Sequence, residues 1–177
     1  MKKRIGSLLV GLGLFVTVMG TSLPAFAAHS CTETVTIGDV NLDGSVNAID
    51  LLLLKQEIDC LVYFDNLQCI AADVDYNAAI TMADYNMLKD YLLGNITSFP
   101  AGSSYTVYYG DVTGDQLVTD ADKTKVSNYI LGSVYLTSRE FAAADVNGDQ
   151  VVNSGDLTLI NRHILNIEDH FPVCPQI

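Results

Sequence analysis

Four stretches of this chain place oxygen-bearing side chains at the spacing that wraps a hard cation. The first reads Asp39-Val40-Asn41-Leu42-Asp43-Gly44-Ser45-Val46-Asn47-Ala48-Ile49-Asp50. Oxygen donors stand at positions 1, 3, 5, 9 and 12, with glycine at position 6. Calcium takes six to eight oxygens at roughly 2.3–2.6 Å, supplied by a short loop in this order, with a backbone carbonyl at position 7 and position 9 often acting through water. The candidate ligands here are Asp39, Asn41, Asp43, Ser45 through its carbonyl, and Asp50. The same pattern returns as Asp73, Asp75, Asn77, Ala79 and Asp84, then as Asp111, Thr113, Asp115, Leu117 and Asp122, and last as Asp145, Asn147, Asp149, Val151 and Asp156. Up to four calcium ions are therefore expected. The set contains no thiolate or imidazole, which disfavours zinc and copper, and magnesium fits less well because it demands near-octahedral geometry. Asp, Asn and Gly also build Asx-turns and N-caps without any metal. One loop would leave that reading open; four copies in register argue against it.

A helical pattern follows each loop, and helices are what must hold the loops in place. Leu54, Leu88, Val126 and Ile160 stand at matched offsets, followed one helical turn later by Ile58, Leu92, Ile130 and Ile164. Each pair predicts one buried stripe. Gly94 and Gly132 predict the ends of the second and third helices. The loops start at Asp39, Asp73, Asp111 and Asp145. The first two and the last two are equally spaced, and the middle interval is longer. Equal spacing within pairs, with the extra length between them, predicts two modules of two repeats. The boundaries are expected at 36–96 and 110–168, joined by a Pro-, Gly- and Ser-containing linker at 97–109. The apolar position 8 of each loop (Val46, Ile80, Val118, Val152) is expected to pair with its partner loop in a short β-bridge. Loop three, with Thr113 as a weak third ligand, is expected to bind most weakly. Ala78, Gln116 and Gln150 replace glycine at position 6, at a cost on the order of 1 kcal/mol if the backbone there is left-handed.

Residues 1–27 read as an export signal: Lys2, Lys3 and Arg4, an apolar run from Leu8 to Met19, then Ala25-Phe26-Ala27. The apolar run is too short to span a bilayer, so no membrane insertion is expected. The full chain carries a net charge of −12, and loss of the three basic residues with the signal makes it more negative still. Such a surface cannot neutralise phosphates, which excludes nucleic acid and anionic membranes as partners. Four cysteines in an exported chain predict two disulfides, with three connectivities open. The expected pairing is Cys60 with Cys69 and Cys31 with Cys174. No catalytic set is legible. His29, His163 and His170 have no nucleophile in a recognisable motif, and the loops account for the paired carboxylates.

The string G-D-V-N-x-D-G-x-V-N-x-x-D before a leucine-rich helix resembles the repeat of type I-like dockerins. Gly38–Leu54 and Gly110–Ile130 carry the resemblance best. Ala144–Leu165 departs at loop position 6, and Asp73–Leu93 is the most diverged. The resemblance covers nearly all of the chain after the signal. Asp rather than Glu closes every loop, and no entering helix is expected before any of them. It implies an all-α fold of two tandem dockerin modules, each of two calcium loop–helix (F-hand) repeats. It implies a secreted, calcium-dependent, monomeric protein that binds cohesin modules of a scaffoldin in a cellulosome-type polysaccharide-degrading complex, at the cell surface through that scaffold or free outside the cell. Partner-binding residues carried over by position are Ala48, Ile49, Lys55 and Gln56; Met82, Ala83, Lys89 and Asp90; Asp120, Ala121, Ser127 and Asn128; and Ser154, Gly155, Asn161 and Arg162. The four sets differ, which implies different cohesin preferences unless the differences are drift. Dockerins usually hang from a glycoside hydrolase, and no enzyme is expected here. A secreted calcium-binding protein with no cohesin partner, or a non-catalytic accessory of a polysaccharide-degrading enzyme, are the alternatives.

Overall fold

The computed structural model describes residues 31–174, so the predicted export signal and His29 lie outside the described residues. Chain order is β1 (Thr32–Thr36), α1 (Ala48–Ile58), α2 (Asn66–Ala72), α3 (Met82–Leu92), β2 (Ser104–Tyr108), α4 (Asp120–Ile130), α5 (Ser138–Ala144) and α6 (Ser154–Ile164). Each of these helices begins with a capping box, in which the N-cap side chain accepts from the first turn while the third helical residue accepts from the N-cap backbone. In the four long helices the N-cap is loop position 9 (Asn47, Thr81, Thr119, Asn153), and the third residue is the closing aspartate. The short helices α2 and α5 use Asp65 with Gln68 and Thr137 with Glu140.

Helix α1 packs on α3, and α4 on α6. The first residue of each predicted stripe, Leu54, Leu88, Val126 and Ile160, is completely buried. The second is less so: Ile58, Leu92 and Ile164 are half-buried and Ile130 is exposed. The stripe therefore narrows towards the C-terminal end of each helix.

Residues at matching places in the two halves play matching parts. Strands β1 and β2 are such a matched pair, and they pair with each other, antiparallel, from Thr32↔Tyr108 through Thr34↔Thr106 to Thr36↔Ser104. The register is centred on the equivalent residues Thr34 and Thr106, whose hydroxyls lie 3.1 Å apart. Beyond the strands, Ile37 N–H donates to the Ser103 carbonyl (3.1 Å) and Tyr109 N–H to the Cys31 carbonyl (3.0 Å), again an equivalent pair. The other matched elements, α2 and α5, also pack together. The halves thus meet through the same surfaces, with the symmetry of an isologous dimer built into one chain. Val35, Ile37, Val107 and Ala142–Ala144 are buried along this seam.

Glycine is required where each aromatic closes its module. Gly110 has φ +89°, and a Cβ there would stand 2.8 Å from the Phe171 ring; at Gly38 (φ +92°) it would stand 3.0 Å from Phe99.

Several expectations are corrected. Segment 97–109 contains β2 and the buried Phe99 and Val107, so it is a structural strap rather than a free linker. Short helices do precede loops two and four. Among the described residues no backbone hydrogen bond joins Val46 to Ile80 or Val118 to Val152. Val46, Ile80 and Val118 pack against the core instead, and Val152 is itself part of it. Cys31 and Cys174 form a disulfide, with Cα atoms 5.7 Å apart. Cys60 and Cys69 are free thiols, the first exposed and the second half-buried. Cys60 takes the left-handed turn after α1, at φ 57°, whereas Cys69 lies inside α2.

Candidate metal centres and partner-facing helices

Each loop is tied by two buried aspartates. The first, Asp39, Asp73, Asp111 or Asp145, accepts on Oδ1 from the N–H of position 5 at 3.0–3.1 Å. Its Oδ2 accepts from the N–H of position 6 at 2.8–3.2 Å. The closing aspartate, Asp50, Asp84, Asp122 or Asp156, is completely buried. It accepts on Oδ1 from the N–H of position 3 at 2.8–3.3 Å, and on Oδ2 from the N-cap N–H at 2.8–3.0 Å. One side chain therefore closes the loop and starts the helix. A displacement of that carboxylate moves both.

Two buried carboxylates in each loop form a concentrated negative field. In loop two, oxygens of Asp73, Asp75 and Asp84 lie within 4.8 Å of one another, and in loop three those of Asp111, Asp115 and Asp122 do the same. Burial first, then the charge of Asp84, pushes the Asp75 carboxyl above its ordinary range. Burial does the same to Asp156. In loops one and four, position 3 is an amide: Nδ2 of Asn41 donates to Asp43 Oδ2 (2.8 Å), and Nδ2 of Asn147 to Asp149 Oδ2 (2.9 Å). The donors are hard oxygens throughout, and the carboxylates among them are crowded together. These residues fit a calcium-class ion.

The loops differ in backbone cost. Positions 4 and 6 are both left-handed in every loop. Position 4 is Leu42, Tyr76, Gly114 or Gly148, and position 6 is Gly44, Ala78, Gln116 or Gln150. Only loop two has a side chain at both, Tyr76 at φ 67° and Ala78 at φ 65°. The larger strain therefore lies in loop two, not in loop three. Thr113, the weak donor of loop three, gives its hydroxyl to Asp122 Oδ1 at 3.0 Å.

The residues expected to face a partner divide into two groups. Loop positions 10 and 11 are exposed in all four repeats: Ala48 and Ile49, Met82 and Ala83, Asp120 and Ala121, Ser154 and Gly155. The later helix pairs are half-buried, except Arg162, which is exposed. Lys55 pairs with Asp59, Asp90 accepts from Asn95 Nδ2 at 3.0 Å, and Arg162 pairs with Glu168 at 2.9 Å. Ser127, Asn128 and Asn161 line a groove between α4 and α6, which Lys123 crosses by donating to Asn161 Oδ1 at 3.3 Å. The structure brings Ile49, Met82 and their equivalents to the surface; it does not leave Gln56 or Lys89 fully open. Among the described residues no helix is long and apolar enough to cross a membrane.

The model of the dockerin type I domain matches twice, over residues 37–93 and 109–165. Among solved structures, the chain resembles one from the complex of the third cohesin of ScaC with the ScaB dockerin of Acetivibrio cellulolyticus, a dockerin mutated in its N-terminal helix that displays a type I interaction. Identity is 35%, over 37% of this chain and 93% of that one, with a TM-score of 0.36. No curated protein matches.

Proposed function

Because this chain belongs to the dockerin type I family, we propose that it is a secreted, calcium-dependent adaptor whose two modules bind cohesin domains of a scaffold protein in a cellulosome-type polysaccharide-degrading complex. A dockerin is a non-catalytic module; that the whole protein is likewise not an enzyme is part of the proposal, as are its monomeric state and the module limits 36–96 and 110–168. The observation that carries the reading is the fourfold tie by two buried aspartates, one of which also caps the helix that follows.

Asp39, Asn41, Asp43, the Ser45 carbonyl and Asp50, with their counterparts in the other loops, would hold the ion. Calcium bound there supplies the positive charge that the clustered carboxylates call for. The closing aspartates orient the first turns of α1, α3, α4 and α6. Those turns hold Ile49, Met82, Ala121 and Gly155 outward, with Ala48, Ala83, Asp120 and Ser154 beside them. Lys55, Gln56, Lys89, Asp90, Ser127, Asn128, Asn161 and Arg162 extend the surface along the helices. Differences among the four sets support different cohesin preferences for the two modules. With loop binding coupled to helix placement, metal affinity contributes to folding stability.

The seam between the modules favours a second reading. Strand pairing, α2–α5 packing and the Cys31–Cys174 bond join the halves, as suits a secreted calcium-binding protein with no cohesin partner. Capture of the purified protein on a panel of immobilised cohesins, in calcium and in chelator, separates the two. The adaptor reading expects calcium-dependent capture by at least one cohesin. No capture by any of them in calcium favours the second.

A further inference from the structure

One side chain crosses the seam into a metal loop of the other module. Arg139, the second residue of α5, is buried to 7% exposure. Its Nη1 donates to Asp73 Oδ2 at 2.6 Å, and its Nη2 reaches the Asp73 carbonyl at 3.5 Å. Its guanidinium carbon lies 4.0 Å from the centre of the Tyr76 ring and 5.2 Å from that of Tyr105. Its Nε has no hydrogen-bond partner among the described residues, so ion pair and stacking set its place. Asp73 and Tyr76 are positions 1 and 4 of loop two. The second module thus holds both the first carboxylate of that loop and one of its two strained backbone sites.

The internal repeat supplies a comparison. At the equivalent place in the other half, Leu67 stands for Arg139, Glu33 for Tyr105 and Gly148 for Tyr76. There the first carboxylate of loop four, Asp145, receives the neutral Asn66 Nδ2 across the seam, at 3.2 Å. Loop four is thereby touched by an amide, and loop two by a charge.

We propose that Arg139 makes loop two a calcium site governed by module pairing: its guanidinium stands in for part of the cation's charge at Asp73, holds the seam closed without calcium, and lowers loop-two affinity below that of loop four. This rests on the calcium reading of the loops. The guanidinium sits on Oδ2, the oxygen that also takes the position-6 N–H. The other oxygen faces the loop interior, as loop three shows, where Thr113 Oγ1 lies 3.5 Å from Asp111 Oδ1. A fixed unit charge roughly 6 Å from a divalent ion weakens binding about tenfold even at the dielectric of bulk water.

The test is a calcium titration of the whole, chelator-stripped protein, followed by NMR at the amides of Asn77 and Ala78 for loop two and of Asp149 and Gln150 for loop four. Arg139→Gln is expected to tighten loop two about tenfold, to leave loop four unchanged, and to lower the melting temperature in chelator. Arg139→Lys, which keeps the charge, is expected to leave loop-two affinity within about threefold of the parent. Leu67→Arg, which places a charge at the matching site, is expected to weaken loop four about tenfold and answers the question independently if Arg139→Gln does not fold without calcium. Loop-two affinity that is unchanged or weaker in Arg139→Gln, or loop-four affinity unchanged in Leu67→Arg, overturns the proposal while the calcium reading stands. No response in any of the four loops overturns both.

Discussion

Removing the Cys31–Cys174 bond should lower stability by about 5 kcal/mol. The bond closes a loop with a sequence separation of 143. The chain-entropy expression for a loop of that size gives about 5 kcal/mol at 25 °C. The effect resides mainly in the unfolded chain, because each native end is held in place without the bond: Tyr109 N–H meets the Cys31 carbonyl, and Val173 N–H meets the Val146 carbonyl beside the buried Phe171. Cys31→Ser/Cys174→Ser should therefore keep its native circular dichroism but unfold earlier in urea. With a slope of about 2 kcal/mol/M, the midpoint drops by about 2.5 M at saturating calcium. Cys60→Ser/Cys69→Ser should leave the midpoint within about 0.3 M, since both thiols are free and substitution of a hydroxyl for either removes little packing. A shift below about 0.5 M in the first variant would refute the reasoning, as would equal shifts in the two.

Three further outcomes follow from local geometry. Gly110→Ala should cost about 2–4 kcal/mol by denaturant unfolding, from overpacking against Phe171 and a left-handed backbone, while Gly44→Ala, which meets nothing within 4 Å, should cost only about 1 kcal/mol. Burial, aided by the charges of Glu57 and Asp65, pushes the Cys69 thiol up to about 11, so maleimide at about pH 7.5 should label exposed Cys60 at least tenfold faster than Cys69. Burial raises the Glu140 carboxyl, but hydrogen bonds from the Lys125 ammonium and the Thr137 backbone N–H, with the charge of Lys125, outweigh it and hold it below its ordinary range. The unfolded chain then binds the extra proton in the window between the two values. Stability supplied by Glu140 is complete above the ordinary carboxylate range and is lost as pH falls through the lowered value. The urea midpoint of Glu140→Gln should accordingly fall less than that of the parent between about pH 6 and pH 3.5.

The loops were legible in the sequence because their donors must be near neighbours in the chain, so position along the chain encodes position around the ion. The helices after them were legible for a related reason, since Leu54, Leu88, Val126 and Ile160 repeat at the loop's own spacing. Helices α2 and α5 carry no such signal: each holds less than two turns, too few to show a period. Their capping boxes, Asp65 with Gln68 and Thr137 with Glu140, were nevertheless present as a signal. Strands β1 and β2 were hidden differently. Each has a single alternation around Val35 or Val107, and its partner lies in the other half of the chain, so nothing local announces the pairing. Pro100, Gly102 and Ser103 beside β2 pointed instead to a linker. Arg139 could not be found from the sequence at all, because its role depends on a carboxylate in the other module, met across a symmetric seam. The contrast of Arg139 with Leu67 becomes visible only once the two halves are superposed by their repeat.

The central claim is that ion-tied loops set four helices to meet a cohesin. Calorimetric titration of a cohesin into the whole protein, once in saturating calcium and once in chelator, tests it most directly. The account predicts saturable binding in calcium, with heat lost in chelator and restored when calcium is returned. Binding of equal affinity in both conditions would contradict it.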